Sequence, residues 1–361
     1  MSTFDYGSLS DIFERVQAGE RLGFEDGVRL YQSNDLPALG SLAQIIRRRK
    51  NGNRVFYSSN LHINHTNVCA LRCQFCAFSR RRGEEGSYTL NLEEIQQAVR
   101  HALEMSQINE VHIVGGQNPD LGMDYYLKMF QMIREVSPDL YIKALAASEV
   151  YDLAVRSQLS VREVLARLKE VGLDGLPGGG AEIFAPRIRE RICKEKIDAT
   201  TWLGIHRTAH EIGLPTNATM LYGHIESDED RVDHVLWLRQ LQDETQGFYS
   251  FVPLAYKPKN TRMENLGEAG GSLDLKVFSV SRLLLDNIPH IKAHWSTIGL
   301  KLAQVTLSFG VDDLGGTNWN EKIMHEAGAN TPTDLRRDEL DHLIRSVGYE
   351  PCLVDSSYQL A

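Results

Sequence analysis

Hydrophobic and polar positions along the chain follow two different periods. Short apolar runs, some with the two-residue alternation of a strand, end in glycine or polar residues, and amphipathic segments with helical spacing follow most of them. The runs that predict strands lie directly before Cys69 and at residues 110–117, 140–147, 177–183, 215–226, 248–255, 290–295 and 303–310, the last of which is also expected to hold a helix end. The segments that predict helices between them lie at residues 91–106, 124–136, 148 onward, 160–171, 200–212, 227–242 and 274–287.

This alternation of strands and helices predicts the fold class. Strands that alternate with helices form parallel βα units with right-handed crossovers. Seven or eight such units in about 250 residues is the number found in a (β/α)8 barrel of the TIM type. A doubly wound sheet is the alternative, but the glycines at 178–180 do not fit its G-x-G-x-x-G fingerprint. We therefore predict an α/β protein built on a (β/α)8 barrel.

Three segments make up the predicted domain organisation. Residues 1–55 have helical periodicity and are expected to form an N-terminal helical cap, whose basic end at 47–50 suits the negative end of a helix dipole. The breaker residues at 51–53 precede the barrel, which we assign to residues 56–330. Residues 331–361 are expected to add a C-terminal helix and a tail packed on the barrel.

Composition and charge narrow the class of partner. The net charge of −9 argues against a general nucleic-acid binder, which is usually basic. One basic cluster, at residues 79–82, is interpreted as an anion-facing rim beside the cysteines discussed next. No apolar run reaches membrane-spanning length and the start lacks a signal-peptide pattern, so a cytoplasmic protein without membrane insertion is expected.

Three of the five cysteines lie in one loop, at a C-x3-C-x2-C spacing: Cys69, Cys73 and Cys76. An odd, clustered set argues against a disulfide framework and for a reducing compartment. Thiolates at such a spacing can converge on one metal centre, and ferredoxin loops of this kind take a fourth cysteine from elsewhere. The two other cysteines, Cys193 and Cys352, are interpreted as ordinary residues.

Two metal centres are compatible with this loop. Three thiolates on a four-iron cube leave one iron open, and an open iron can bind a substrate. The alternative is a structural zinc site, which usually has four protein ligands and paired C-x2-C units. His62 or His65 would then supply the fourth ligand, so the motif alone leaves zinc open.

The cysteine loop, with the aromatic Phe75 directly before Cys76, resembles the C-x3-C-x-(aromatic)-C motif of the radical S-adenosylmethionine (SAM) enzymes. The resemblance implies a 4Fe–4S cluster held by the three cysteines, with SAM chelating the open iron. It also implies an electron donor such as flavodoxin or ferredoxin, whose electron cleaves SAM into methionine and a 5′-deoxyadenosyl radical.

Barrel enzymes carry their chemistry at the carboxyl ends of their strands, and polar residues recur at those positions here. Gly115 and Gly116 follow the second strand, and the resemblance implies that such a pair binds the SAM amino group through backbone groups. Gln117 stands where the family often has Glu, which leaves backbone contacts intact. Further candidates for SAM or substrate are Ser148 and Glu149 after the third strand.

Polar residues on later strands complete the predicted site. Glu182 is expected to accept hydrogen bonds from the SAM ribose. Asn217 and Thr219 alternate on one face of the fifth strand and should point into the barrel together. The predicted catalytic residues, which would contact the substrate, are Asn217, Tyr222, His224 and His294.

Several stretches, spread over nearly the whole chain, resemble one subgroup of radical SAM enzymes, the aminofutalosine (aminodeoxyfutalosine) synthase family of the futalosine route to menaquinone. They begin at Ile113, Leu176, Arg207, Thr216, Val232, Leu241 and Leu284. The resemblance implies a transferase in which the radical adds to 3-[(1-carboxyvinyl)oxy]benzoate. The aryl group then migrates and carbon dioxide or bicarbonate leaves, giving 6-amino-6-deoxyfutalosine and methionine.

Two alternatives and one open assignment remain at this point. The sibling families, dehypoxanthine futalosine cyclase and the deazaflavin-chromophore synthase, share the architecture but abstract hydrogen. By location, the residues expected to bind the two substrate carboxylates are Arg80, Lys257 and Arg262.

Overall fold

A computed structural model describes residues 5–360 of the chain; residues 1–4 of the predicted cap and residue 361 lie outside this range. The strands of the described part, β1 to β9, are Arg54–Ser58, Asn60–Ile63, Glu110–Ile113, Tyr141–Ala144, Thr216–Tyr222, Phe248–Ala255, His290–Ile291, Asp313–Gly316 and Glu350–Leu353. Every pairing between these strands is parallel. Parallel pairing requires crossover connections, and helices provide them.

The helices lie between and outside these strands. In chain order, α1 to α15 are Ser10–Ala18, Phe24–Gln32, Leu36–Asn51, Leu92–Ser106, Met123–Val136, Ala147–Ser157, Val161–Glu170, Pro186–Ile192, Ala199–Glu211, Asp228–Thr245, Gly271–Leu284, Trp295–Ile298, Leu300–Thr306, Ile323–Glu326 and Arg337–Arg345. Several begin at the capping residues that the sequence indicates. Asn91 and Ser160 each accept a hydrogen bond from the backbone N–H three residues on, where a glutamate returns the contact.

The strands close into a barrel. Three sheets, ordered β2-β3-β4, β5-β6-β7 and β8-β1-β9, are joined edge to edge by single bridges. Gly175 and Leu176 bridge β4 to β5 and supply the fourth position of the ring, while Lys292 bridges β7 to Asp313 in β8. Trp319, just after β8, pairs with Leu61 in β2 and closes the circle. Because β1 and β2 are two halves of one bent strand, the ring has eight positions, and the predicted (β/α)8 barrel is confirmed.

Two predicted strand runs differ from the structure. The run at 177–183 contains no strand and lies just after the bridging residues Gly175 and Leu176. Residues 303–310 were expected to supply a helix end and the last strand; the segment does hold the end of α13, but the last barrel strand is β8, further along. The buried side chains Ala303, Thr306 and Leu307 are spaced three and four residues apart, which is the period of a helix face. The predicted strand at 290–295 is also shorter than expected, since α12 begins at Trp295.

The N-terminal helices pack on one side and one end of the barrel. Helix α2 lies against α10 and α3 against α11. The guanidinium of the fully buried Arg47, in α3, donates to the carbonyl oxygens of Val311, Gly52 and Arg54 at 2.8–2.9 Å. The predicted domain boundaries, after residue 55 between cap and barrel and after residue 330 between barrel and C-terminal segment, remain predictions. At the other terminus, β9 pairs with β1, so the C-terminal segment adds a strand as well as helix α15.

Within residues 5–360, none of the helices combines the length and the apolar character needed to span a bilayer.

Candidate active site

A cavity opens at the carboxyl ends of the barrel strands, where the sequence places the chemistry. It brings together most of the predicted site residues. Those that line it are Cys69, Cys73, Phe75, Cys76, Gly115, Gly116, Gln117, Ser148, Glu149, Glu182, Asn217, Thr219 and His294. Residues from the loop after β2, from the segments that follow β3, β4, the bridge between β4 and β5, and β7, and from the inner face of β5 therefore face one space.

Backbone hydrogen bonds hold the cysteine loop against its neighbours. The N–H of Ala70 donates to the carbonyl of Gln117 at 2.9 Å, and the N–H of Gln74 donates to the carbonyl of Ile192 at 2.7 Å. The N–H of Cys69 donates to the carbonyl of Arg80 at 2.9 Å. The loop is thus attached to the turn after β3 and to the end of α8, which fixes all three thiols on the cavity wall.

The glycines after β3 allow this attachment. A Cβ on Gly116 would lie 2.2 Å from the carbonyl oxygen of Val68, and a Cβ on Gly115 would lie 2.8 Å from that of Thr66. Any side chain here would push the turn away from the cysteine loop. The glycine pair therefore permits two protein segments to touch, a reason that the sequence alone did not indicate.

Gln117 contributes through its backbone. Its N–H donates to the sulfur of Cys69 at 3.3 Å, and N–H donors to a cysteine sulfur favour the thiolate form. Since this contact does not use the side chain, Gln in place of the more usual Glu leaves it unchanged.

The donor set fits a three-thiolate cluster better than a zinc ion. His65 lies behind the turn, where its Nε2 contacts the hydroxyl of Tyr126 at 3.3 Å, and it does not line the cavity. His62 does line the cavity, but its ring stacks on that of His112 and forms no ligand group with the cysteines. Among residues 5–360, no three His, Cys, Asp or Glu side chains lie close enough together to hold a single ion. Thiolates on a cube bind different irons and so need not meet at one point.

Burial favours the protonated form of two of the loop thiols. It raises the pKa of Cys73 to about 12 and raises that of Cys69 above its usual value. Binding of a positively charged centre would therefore release protons from this loop. Cys193, buried at the end of α8, lies near enough to raise the pKa of Cys73, but it is not part of the cavity lining.

Glu182 is paired with a lysine that the sequence analysis missed. Its Oε1 accepts from Lys196 Nζ at 2.6 Å, and both side chains are almost fully buried. Burial alone would lower the pKa of Lys196, but the carboxylate of Glu182 raises it, so the ammonium persists. The ammonium also lies 5.6 Å from the ring centre of Phe75, a cation–π contact. Glu182 has a left-handed backbone, with φ of 48°, which is rare for a non-glycine residue.

Glu149 has an unused oxygen in the same cavity. Its Oε2 accepts the N–H of Ala146 at 2.7 Å, at the start of α6, while Oε1 is buried without a partner. Burial raises the pKa of Glu149 to about 8, so near neutral pH this carboxyl is mostly protonated and can donate a hydrogen bond. A buried polar atom without a partner is a place where a ligand fits.

Two predicted substrate contacts are not brought to the cavity. The hydroxyl of Tyr222 donates to Asp274 at 2.7 Å on the outside of the barrel. His224 turns back to the carbonyl of its neighbour Leu221 at 3.1 Å. Strand alternation explains the error for Tyr222, because Asn217 and Thr219 point inward and a residue at 222 then points outward.

The cationic residues near the mouth also differ from expectation. Lys257 pairs with Glu268 at 2.9 Å, and the guanidinium of Arg80 braces its own loop by donating to the carbonyl of Ala77 at 2.7 Å. Neither these two residues nor Arg262 lines the cavity. The lysines that do so are Lys143, Lys196 and Lys292.

Comparison with known proteins agrees with this site. Residues 63–238 match the family model of the radical SAM superfamily, and residues 245–361 match the CofH/MqnC C-terminal region. A methylornithine synthase has a similar fold, with a TM-score of 0.77 at 18% identity, over 95% of this chain and 97% of that chain. The chain belongs to the radical SAM superfamily, whose enzymes use a 4Fe–4S cluster and SAM.

The relatives define the group within the superfamily. The chain is 45% identical to the aminodeoxyfutalosine synthase of Thermus thermophilus, over 97% of this chain and 95% of the relative. It is 41% identical to that of Streptomyces coelicolor, over 99% and 95%. A 5-amino-6-(D-ribitylamino)uracil–L-tyrosine 4-hydroxyphenyl transferase of Methanoculleus marisnigri is 39% identical, over 93% and 95%. The predicted resemblance to aminodeoxyfutalosine synthases is thereby confirmed.

The proposed contact of Glu182 with the SAM ribose gives the first testable prediction. We expect Glu182→Gln to weaken SAM binding about tenfold, because a hydrogen bond to a charged acceptor is replaced by one to a neutral acceptor. Equilibrium dialysis of SAM against the anaerobically reconstituted protein measures this. Glu190→Gln, at an exposed pair with Lys194, is the matched control and should leave the affinity unchanged. An unchanged affinity in Glu182→Gln would place the ribose contact elsewhere.

Proposed function

We propose that this enzyme is an aminodeoxyfutalosine synthase. The reaction joins the 5′ carbon of SAM to the enolpyruvyl double bond of 3-[(1-carboxyvinyl)oxy]benzoate and moves the aryl group from oxygen to carbon. One carboxylate leaves as carbon dioxide or bicarbonate, and the products are 6-amino-6-deoxyfutalosine and methionine. The observation that carries this proposal is identity of 45% and 41% to two such synthases over nearly the whole chain.

The chain supplies the site, and the cofactor supplies the radical. A bound, reduced cluster would supply the one electron that splits a carbon–sulfur bond of SAM and would regain it at the end, so the reaction would be redox-neutral overall. Cys69, Cys73 and Cys76 are the proposed cluster ligands. The turn at 115–117 and the Glu182–Lys196 pair are proposed to hold the amino acid and ribose parts of SAM.

Exclusion of water is the second task of the chain. Apolar side chains from several strands and loops line the cavity between the polar groups. They include Leu71, Phe78, Val114, Val252, Leu254 and Ile323. A dry cavity protects a reactive radical from side reactions with solvent. Asn217 and His294 remain as proposed substrate contacts, whereas Tyr222 and His224 do not. Thr219, which lines the same cavity, is proposed as a further contact.

The electron donor and the compartment are proposed on chemical grounds. A low-potential donor such as flavodoxin or ferredoxin would suit a cluster of this type, and a reducing cytoplasm would preserve its thiolates. Arg81 and Arg82 are exposed beside the cysteine loop, where they would complement an acidic protein surface.

An anaerobic assay tests the proposed function. The reconstituted enzyme is incubated with a reductant, SAM and the enolpyruvyl benzoate, and the products are analysed by mass spectrometry. We expect an adduct that carries adenosine and the aryl group less one carboxylate. Free 5′-deoxyadenosine without the adduct would point to a hydrogen-abstracting sibling reaction and would overturn the proposed function.

A further inference from the structure

A layer of basic side chains crosses the barrel interior below the cysteine loop. His62 on β2, His112 on β3 and Lys143 on β4 are direct register partners, so their side chains lie at one height in the barrel. All three line the cavity, as do Lys292 and His294 beyond β7. We call these five residues the floor cluster.

The imidazoles of the floor cluster are packed together and neutral. The rings of His62 and His112 stack with centroids 4.6 Å apart, and the ring of His294 meets that of His62 edge-on at 6.2 Å. Burial lowers the pKa of all three rings. Each ring can then donate one N–H, and no group in the described part of the chain hydrogen-bonds the nitrogens of His112.

The two lysines have donor capacity to spare. Lys143 Nζ contacts Glu110 at 2.6 Å and Ser356 at 2.7 Å, which leaves one of its three N–H groups. Lys292 Nζ pairs with Asp313 at 3.1 Å, which leaves two. These partners do not line the cavity, so the two ammonium groups face it with their counter-charges behind them.

This arrangement balances charge before any ligand binds. The carboxylates of Glu110 and Asp313 compensate the two lysines, and compensation of that kind keeps a buried charge tolerable. The unused N–H groups nevertheless need an acceptor. A carboxylate, with its two oxygens and about four lone-pair positions, can take several of them at once.

The depth of the floor cluster indicates which end of a ligand reaches it. His112 lies three to five residues before the turn at 115–117 that contacts the cysteine loop. Because a strand rises about 3.3 Å per residue and β3 ends at Ile113, this separation places His112 at most roughly 10–17 Å from that turn. A ligand whose reacting end lies near the cysteine loop would contact the floor cluster with its opposite end.

We propose that the floor cluster binds the ring carboxylate of an aryl dicarboxylate substrate. Lys143 and Lys292 supply charge-assisted hydrogen bonds, and His112 and His294 supply neutral N–H donors. This inference rests on the proposed function, in which the enolpyruvyl double bond meets the 5′ carbon of SAM. The benzoate carboxylate is then the group that extends away from the iron–sulfur cluster, into the barrel and toward the floor cluster.

A pair of substrates tests the proposal on Lys292→Met. The first substrate is the enolpyruvyl benzoate, and the second is 2-phenoxyprop-2-enoate, which lacks the ring carboxylate. We expect kcat/KM for adduct formation from the first to fall about 30- to 100-fold, the effect of losing a charge-assisted hydrogen bond. For the second substrate, kcat/KM in Lys292→Met should differ from that of the wild type by less than threefold. Lys301→Met, on the exposed face of α13, is the matched control and should change neither.

Lys143 needs a compensated variant. Lys143→Met alone leaves Glu110 buried without its counter-charge, so the double variant Lys143→Met/Glu110→Gln is used in its place. Lys292→Met likewise leaves Asp313 buried without its counter-charge, so the double variant Lys292→Met/Asp313→Asn is measured beside it. Both double variants should show the same selective loss as Lys292→Met. Cleavage of SAM without substrate, measured as 5′-deoxyadenosine, should persist in every variant and reports that the SAM site is intact.

The outcomes separate the two proposals. An equal loss with both substrates, or no loss, in Lys292→Met and in both double variants would overturn the floor assignment while leaving the synthase reaction in place. A wild-type enzyme that cleaves SAM but forms no adduct from either substrate would overturn the proposed function, and with it the substrate named here.

Discussion

Replacement of Cys69, Cys73 or Cys76 by alanine is expected to abolish reductive cleavage of SAM. The cavity wall presents these three sulfurs from one short loop, and hydrogen bonds to Gln117 and Ile192 fix the loop in place. With one thiolate gone, two protein ligands remain for a cluster that must also leave an iron open to SAM. We expect a loss of more than about 100-fold, beyond what changes around metal ligands cause.

The measurement combines product formation with cluster content. Each variant is reconstituted anaerobically, its iron and sulfide are determined, and 5′-deoxyadenosine and methionine are quantified after reduction. Cys352→Ala, which changes a cysteine in β9 outside the cavity lining, should cleave SAM as the wild type does. Full cleavage in any one of the three loop variants would exclude that cysteine as a ligand.

The barrel could be predicted from the sequence because the patterns that indicate each strand and helix lie within short segments. A typical βα unit has a strand period followed by a helix period, and several helices begin at a recognisable N-cap, as at Asn91 and Ser160. The cysteine loop was predictable for the same reason, since its three ligands lie within eight residues. The strand predicted within 303–310 was wrong because the apolar residues of this segment fit both the strand period and the helix period. Only packing against neighbouring helices favours the helix.

The rest of the site depends on contacts between distant segments. Lys196 lies in a charged run after α8 that has the composition of a solvated surface, and its pairing with Glu182 appears only once the chain has folded around it. In the floor cluster, His62, His112 and Lys143 are each an isolated polar residue in a strand. Their register is what brings them together, and one signal was available: each is the third residue of its strand.

A buried ionic network at the opposite end of the barrel provides the prediction with the largest expected effect on stability. Arg282 and Asp312 are both fully buried and form an ion pair. Asp312 also contacts His290 at 2.6 Å and Asn51 at 2.5 Å, and it accepts the N–H of Ile291 at 2.8 Å. The network thus ties α3 and α11 to the starts of β7 and β8.

The folded-state pKa of Asp312 fixes the sign of its pH dependence. Burial alone would raise this pKa, but the charges of Arg282 and His290 lower it below the usual value. A carboxyl with a lowered folded-state pKa contributes stability above its unfolded pKa, near 4, and loses that contribution as the pH falls through the folded-state value. The contribution is therefore complete at neutral pH and declines in acid.

Asp312→Ala is expected to lower the free energy of unfolding by about 3–5 kcal/mol at pH 7, because it leaves the guanidinium of Arg282 buried without its counter-charge. Urea unfolding of the cluster-free protein, followed by circular dichroism, measures the change. Glu244→Ala, which breaks the exposed pair with Arg207, is the matched control and should cost less than about 1 kcal/mol. The difference between wild type and Asp312→Ala should shrink below pH 4; a difference that persists there would mean that packing, rather than charge, is the source of the effect.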